Sequence, residues 1–106
     1  MKEINVQDLK TKKESDEKFV LLDVREDWEY MVSNIDGIHI PLGELPQRVS
    51  EIEHEKTSEL IVMCRAGGRS AKAVECLTAN GFTNVINLKG GMKAWGKEID
   101  PSLPVA

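Results

Sequence analysis

Residues 60–70 read Leu60-Ile61-Val62-Met63-Cys64-Arg65-Ala66-Gly67-Gly68-Arg69-Ser70, an aliphatic run that stops at a cysteine and opens into a glycine turn. The run has no polar alternation, the pattern of a strand covered on both faces. From Ser70 to Asn80 the pattern turns helical, with Ser70 expected as the cap, Val74 and Leu77 spaced i, i+3, and Gly81 following as the C′ residue. A buried strand that passes through a short turn into a helix belongs to a parallel α/β sheet. It puts the turn beyond a strand's carboxyl end, where such sheets bind their ligands.

The alternation continues on either side. Phe19-Val20-Leu21-Leu22 and Val85-Ile86-Asn87-Leu88 are further short apolar runs, with weaker strand signals at Ile4-Asn5-Val6 and Ile38-His39-Ile40. Helical patterns are expected over Val6–Lys10, over Asp27–Val32 with Trp28 and Val32 on one face, and over Gly91–Trp95. Another opens at Leu45-Pro46, where proline suits a first turn, and carries Val49 and Ile52 onward. The expectation is an α/β fold, a mostly parallel sheet with helices on both faces.

At 106 residues the chain has room for one domain, residues 1–106, with one sheet-centred core. Its 41% hydrophobic and 30% charged composition excludes the disordered and membrane classes, and no apolar run approaches the ~18 residues of a spanning helix. The opening MKEINVQDLK has no apolar export core, and two cysteines, Cys64 and Cys76, match neither a disulfide framework nor metal-ligand spacing. A cytoplasmic protein with free thiols and no bound metal is expected. The net charge of −4 argues against nucleic-acid binding. Yet the charge is uneven: residues 1–53 hold seven basic and thirteen acidic side chains, whereas Leu60–Lys97 holds six basic residues and one acid, Glu75.

That basic stretch contains the cysteine turn. Gly67 and Gly68 permit left-handed backbone, so successive N–H groups of residues 65–69 can converge as an anion-binding nest. The helix behind adds its free N–H groups and the positive end of its dipole. A cysteine at this mouth favours thiolate, the nucleophilic form, and Arg65 and Arg69 are expected to draw an anionic substrate. Cys64 is the expected nucleophile, with Arg65, Ala66, Gly67, Gly68, Arg69 and Ser70 as its loop.

Three separated segments, LLDVREDWEY (21–30), IVMCRAGGRSAKAV (61–74) and NLKGGMKAW (87–95), resemble the single-domain rhodaneses, sulfurtransferases whose cysteine carries a persulfide. LGELPQRV (42–49) and KEIDPSLPV (97–105) are most similar to rhodanese domains fused to adenylyltransferases of sulfur-carrier proteins. The resemblance implies a five-stranded sheet, sulfur transfer through a Cys64 persulfide, and no metal or organic cofactor. It also implies a small anionic donor such as thiosulfate, with a thiol, cyanide or a protein as acceptor. It is weakest over Ser33–Ile38, which is one residue shorter than the usual family pattern. A noncatalytic interaction domain is the alternative class, but it would not need the cysteine. A phosphatase loop spaces cysteine and arginine by five residues; here four separate Cys64 from Arg69.

Asp23 and Arg25, two apart beyond the second strand, should point the same way and act as a supporting ion-pair or hydrogen-bond bracket for the loop, direct substrate contact being the alternative, with Arg69 as a further expected partner of Asp23. Cys76 is expected in core packing, too far along its helix to pair with Cys64. His39 and His54 read as structural or exposed, and Trp28, Tyr30 and Trp95 as core aromatics. Lys72 and Lys93 read as solubilising charge.

Overall fold

The computed structural model describes all residues, Met1–Ala106. Five strands form one sheet: β1 (Lys2–Ile4), β2 (Val20–Asp23), β3 (Ile38–His39), β4 (Leu60–Met63) and β5 (Val85–Leu88), in the spatial order β1-β5-β4-β2-β3. All four pairings are parallel, which makes the sheet wholly rather than mostly so. Five helices accompany them: α1 (Val6–Lys13), α2 (Asp27–Val32), α3 (Leu45–Arg48), α4 (Gly68–Ala79) and α5 (Gly91–Glu98).

Period-two alternation divides the apolar strands between two cores. Leu22, Leu60, Val62 and Val85 face a cluster completed by Leu45, Val49, Ile52, Ala73, Val74 and Leu77, so α3 and α4 cover this face. Leu21, Ile61, Met63, Ile86 and Leu88 face the opposite cluster with Val6, Leu9, Met92 and Trp95, so α1 and α5 cover the other. The central strand β4 is buried at every residue. This accounts for its unbroken aliphatic run.

Four local expectations are corrected. The first strand ends at Ile4, because the Asn5 side chain accepts the Asp8 N–H at 2.8 Å and caps α1, making Val6 the first helical residue. The helix after the cysteine turn starts at Gly68 and not at Ser70, because Gly67, at φ 117°, takes the left-handed cap position. Beyond Arg48 the third helix continues as a 3-10 segment, Val49–Glu55, broken at Ile52. Trp28 and Val32 lie on the outside of α2, 60% and 43% exposed, and the residue that α2 buries is Glu29. Of the three expected core aromatics, Trp95 is buried, while Tyr30 is half-buried and stacks on His39 with ring centroids 4.4 Å apart.

Candidate active site

The carboxyl ends of β2 and β4 are neighbours, with Asp23 opposite Met63 in register and the Val24 N–H donating to the Met63 carbonyl at 2.9 Å. The Asp23 and Cys64 segments therefore leave the sheet side by side. Cys64 is 1% exposed, under a turn whose Arg65, Ala66 and Gly68 face solvent. The thiol is therefore covered from solvent by that turn.

The Gly67 N–H donates to Cys64 Sγ at 3.0 Å, and the Ser70 hydroxyl lies 3.4 Å from it. Burial pushes the thiol pKa up. It is outweighed by the Ser70 hydroxyl and the N–H groups of Ser70, Gly67 and Ala66, and the net direction is down. Ser70 is not the helix cap, which is Gly67, but a fully buried group beside the Cys64 thiol. Its hydroxyl also approaches Asn87 Oδ1 at 2.5 Å and the Gly67 carbonyl at 3.1 Å. With one proton to give, Ser70 serves one of these three acceptors at a time.

The first turn of α5 braces the loop from behind. The Met92 and Lys93 N–H groups, unpaired inside their own helix, donate to the Cys64 and Arg65 carbonyls, each at 2.9 Å. Gly91 makes this approach possible: at φ 53°, a Cβ there would stand 2.3 Å from the Cys64 carbonyl oxygen.

The expected Asp23–Arg25 bracket is present, and the departure from expectation is Arg69. Asp23 is paired with Arg25, not with Arg69. The Arg25 Nη2 donates to Asp23 Oδ2 at 2.9 Å and to the Ser33 carbonyl at 2.8 Å, and both charged residues are 0% exposed. Arg69 instead grips Glu29, Nη1 to Oε1 at 2.5 Å and Nη2 to Oε2 at 2.8 Å. Its charge is thereby matched by a carboxylate. Arg65 is exposed, and its Nε donates to the Ala106 carbonyl at 2.6 Å. Cys76 is half-buried against the α3–α4 core. His39 is structural, its Nε2 lying 2.7 Å from the Arg25 carbonyl, and His54 is exposed. No cluster of three or more potential metal ligands occurs.

Glu29 and Asn87 were not among the expected site residues. Glu29 lies inside LLDVREDWEY, and its one available signal was a carboxylate at the third helical position, able to reach back to the Glu26 N–H. Asn87 interrupts an otherwise apolar strand, a polar group in a buried run that must find a partner.

Comparison with known proteins agrees with this geometry. The rhodanese-like domain family matches residues 5–98, and the chain belongs to that family. YtwF of Bacillus subtilis, which carries a provisional sulfurtransferase name, is 39% identical over 102 residues, covering 95% of this chain and 96% of its own. The chain spans only part of other relatives: 50% of YrkF of Bacillus subtilis, provisionally named a sulfur carrier protein (40% identical, 88% of this chain), and 20% of MOCS3-1 of Zea mays, an adenylyltransferase and sulfurtransferase (37% identical, 84% of this chain). The crystal structure of a rhodanese-like domain protein from Staphylococcus aureus superposes with a TM-score of 0.85 at 34% identity, covering 100% of this chain and 99% of that one.

Proposed function

We propose that this chain is a sulfurtransferase or sulfur carrier in which Cys64 holds the travelling sulfur as a persulfide. The observation that carries the reading is the Cys64 thiol at the mouth of α4, with the Gly67 N–H 3.0 Å from Sγ and its pKa lowered by the surrounding donors. The sulfurtransferase names of YtwF and MOCS3-1 support the same class.

The chemistry runs in two half-reactions. The Cys64 thiolate attacks the outer sulfur of thiosulfate, a sulfur–sulfur bond forms, and sulfite leaves with the electron pair. A persulfide donor would lose its thiolate in the same way. An acceptor (cyanide, a thiol or a protein thiolate) then attacks the outer sulfur, and the electron pair returns to Cys64 Sγ. Ping-pong kinetics follow, and the cycle requires no metal or organic cofactor. The N–H groups of Ala66, Gly67 and Ser70 stabilise negative charge on whichever sulfur carries it. Two free cysteines fit a cytoplasmic setting, where thiols stay reduced.

Thiosulfate-to-cyanide transfer tests the reading. Cys64→Ser should abolish turnover and Cys76→Ser should leave most of it. A folded Cys76→Ser protein as inactive as Cys64→Ser would contradict the assignment. So would efficient hydrolysis of an aryl phosphate by the unaltered chain, since the Cys64–Arg69 loop is one residue shorter than a phosphatase loop.

A further inference from the structure

Between the exposed Ala66 turn and the outer face of α5 lies a cleft of about 310 Å³, lined by Ala66, Gly90, Lys93, Ala94, Lys97 and Glu98. It adjoins the site by construction: the Lys93 N–H is bonded to the Arg65 carbonyl, one residue from Ala66 and two from the N–H that meets Cys64 Sγ. Its floor is alanine and glycine, which leaves the space open. Lys93 and Lys97, one helical turn apart, present their ammonium groups on the same face.

The charge balance around Cys64 leaves few cations unpaired. Arg25 is neutralised by Asp23 and Arg69 by Glu29, whereas exposed Arg65 keeps its charge, its Nε bonded to the neutral Ala106 carbonyl. Neither Lys93 nor Lys97 has a carboxylate within ion-pairing distance, the full set of pairs lying elsewhere. Glu98, the one acid at the cleft, has Gln7 Nε2 at 3.5 Å. The two remaining clefts lie away from the cysteine loop and include Glu55 and Glu59 in one and Asp36 in the other. Apart from exposed Arg65, the uncompensated positive charge nearest the cysteine loop is therefore that of Lys93 and Lys97 in this cleft.

We infer that the cleft is an acceptor subsite, which holds the carboxylate-bearing part of a small thiol on Lys93 and Lys97 while its sulfur meets Cys64. The inference rests on the sulfur-transfer reading and adds a substrate class to it. Its volume matches the small end of ligand sites, which begin at about 300 Å³. In the transfer step the acceptor thiolate attacks the outer sulfur of the Cys64 persulfide. The new sulfur–sulfur bond forms on the acceptor, the bond to Sγ breaks, and Sγ keeps the electron pair. One sulfane sulfur changes owner, and no oxidant or reductant is consumed.

The test uses the full chain in a Cys76→Ser background, with Lys93→Ala/Lys97→Ala and the charge-preserving Lys93→Arg/Lys97→Arg. One readout is kcat/KM for transfer from thiosulfate to glutathione, which bears carboxylates, and to neutral mercaptoethanol. The other needs no sulfur transfer: the rate at which Cys64 forms a mixed disulfide with glutathione disulfide or with neutral hydroxyethyl disulfide. The alanine pair should slow both glutathione reactions by roughly five- to twentyfold, as expected for losing two partly solvated charges, and leave both neutral reagents within about twofold. The arginine pair should retain the discrimination. Equal losses for charged and neutral partners, or an unchanged glutathione rate, would overturn the subsite while leaving transfer to neutral thiols to stand. Lysine-dependent discrimination between the disulfides without sulfur transfer to any thiol would support the subsite and sink the proposed reaction.

Discussion

Arg69 and Glu29 form a two-pronged ion pair, with both guanidinium Nη atoms within 2.8 Å of a carboxylate oxygen, that ties the first turn of α4 to α2. Arg69 has the residue number expected for anion recognition, yet its fork is occupied by a carboxylate 4% exposed to solvent. Its main work is to fix the loop that follows Cys64.

The pair sets an acid limb. The Arg69 hydrogen bonds lead the effects that hold the Glu29 carboxyl at about 2, against 4.5 when unperturbed. A depressed folded-state value means that the stabilisation is fully present above pH 4.5 and is lost as pH falls towards 2. Glu29→Gln should cost about 1–3 kcal/mol at neutral pH and flatten the fall of Tm across that window. An acid limb unchanged by the substitution would assign the loss to other groups.

The Asp23–Arg25 pair is a second bracket, and fully buried. Arg25→Ala would strand Asp23 and two backbone carbonyls, those of Glu29 and Ser33, in the interior. The expected cost is about 3–5 kcal/mol, a fall in Tm of roughly 10–40 °C. Lysine should not restore it, since one ammonium cannot reproduce the fork. Thermal unfolding followed by circular dichroism decides this; a loss under about 1 kcal/mol would make the pair dispensable.

Gly91 carries a different prediction. Its φ of 53° and the Cys64 carbonyl oxygen, which would stand 2.3 Å from an added Cβ, leave no place for a methyl group. Gly91→Ala should push α5 away from the loop, lower stability by about 1–3 kcal/mol and slow Cys64 alkylation. An unaltered alkylation rate in a folded Gly91→Ala protein would show that the brace behind the loop is irrelevant to reactivity.

The thiolate itself can be titrated by alkylation rate against pH. The midpoint should lie below the ~8.5 of a free thiol, and Ser70→Ala, which removes a donor, should raise it. A wild-type midpoint at or above ~8.5 would remove the electrostatic basis of the site.

What the sequence disclosed follows from local signals. Short apolar runs marked β2, β4 and β5, even with Asn87 inside the last, and the glycines after Met63 marked the turn that follows Cys64, because burial and backbone freedom leave compositional traces. Tertiary pairings leave none. Arg69 could have served Asp23 or Glu29 as far as charge is concerned; Arg25 reaches Asp23 from two residues away and leaves Arg69 for α2. Trp28 looked like a core residue on helical spacing, but a helix of six residues is placed by its contacts, here Glu29, and the indole stays outside. Ser70 looked like a cap until Gly67, in left-handed backbone, took that position.

The central claim is that Cys64 carries the sulfur, and intact-mass measurement after thiosulfate treatment tests it most directly. The wild-type and Cys76→Ser proteins should gain one sulfur, about 32 Da, lost again on treatment with a reductant, and Cys64→Ser should gain nothing. A sulfur adduct that persists in Cys64→Ser, or none in the folded wild-type protein, would contradict the assignment.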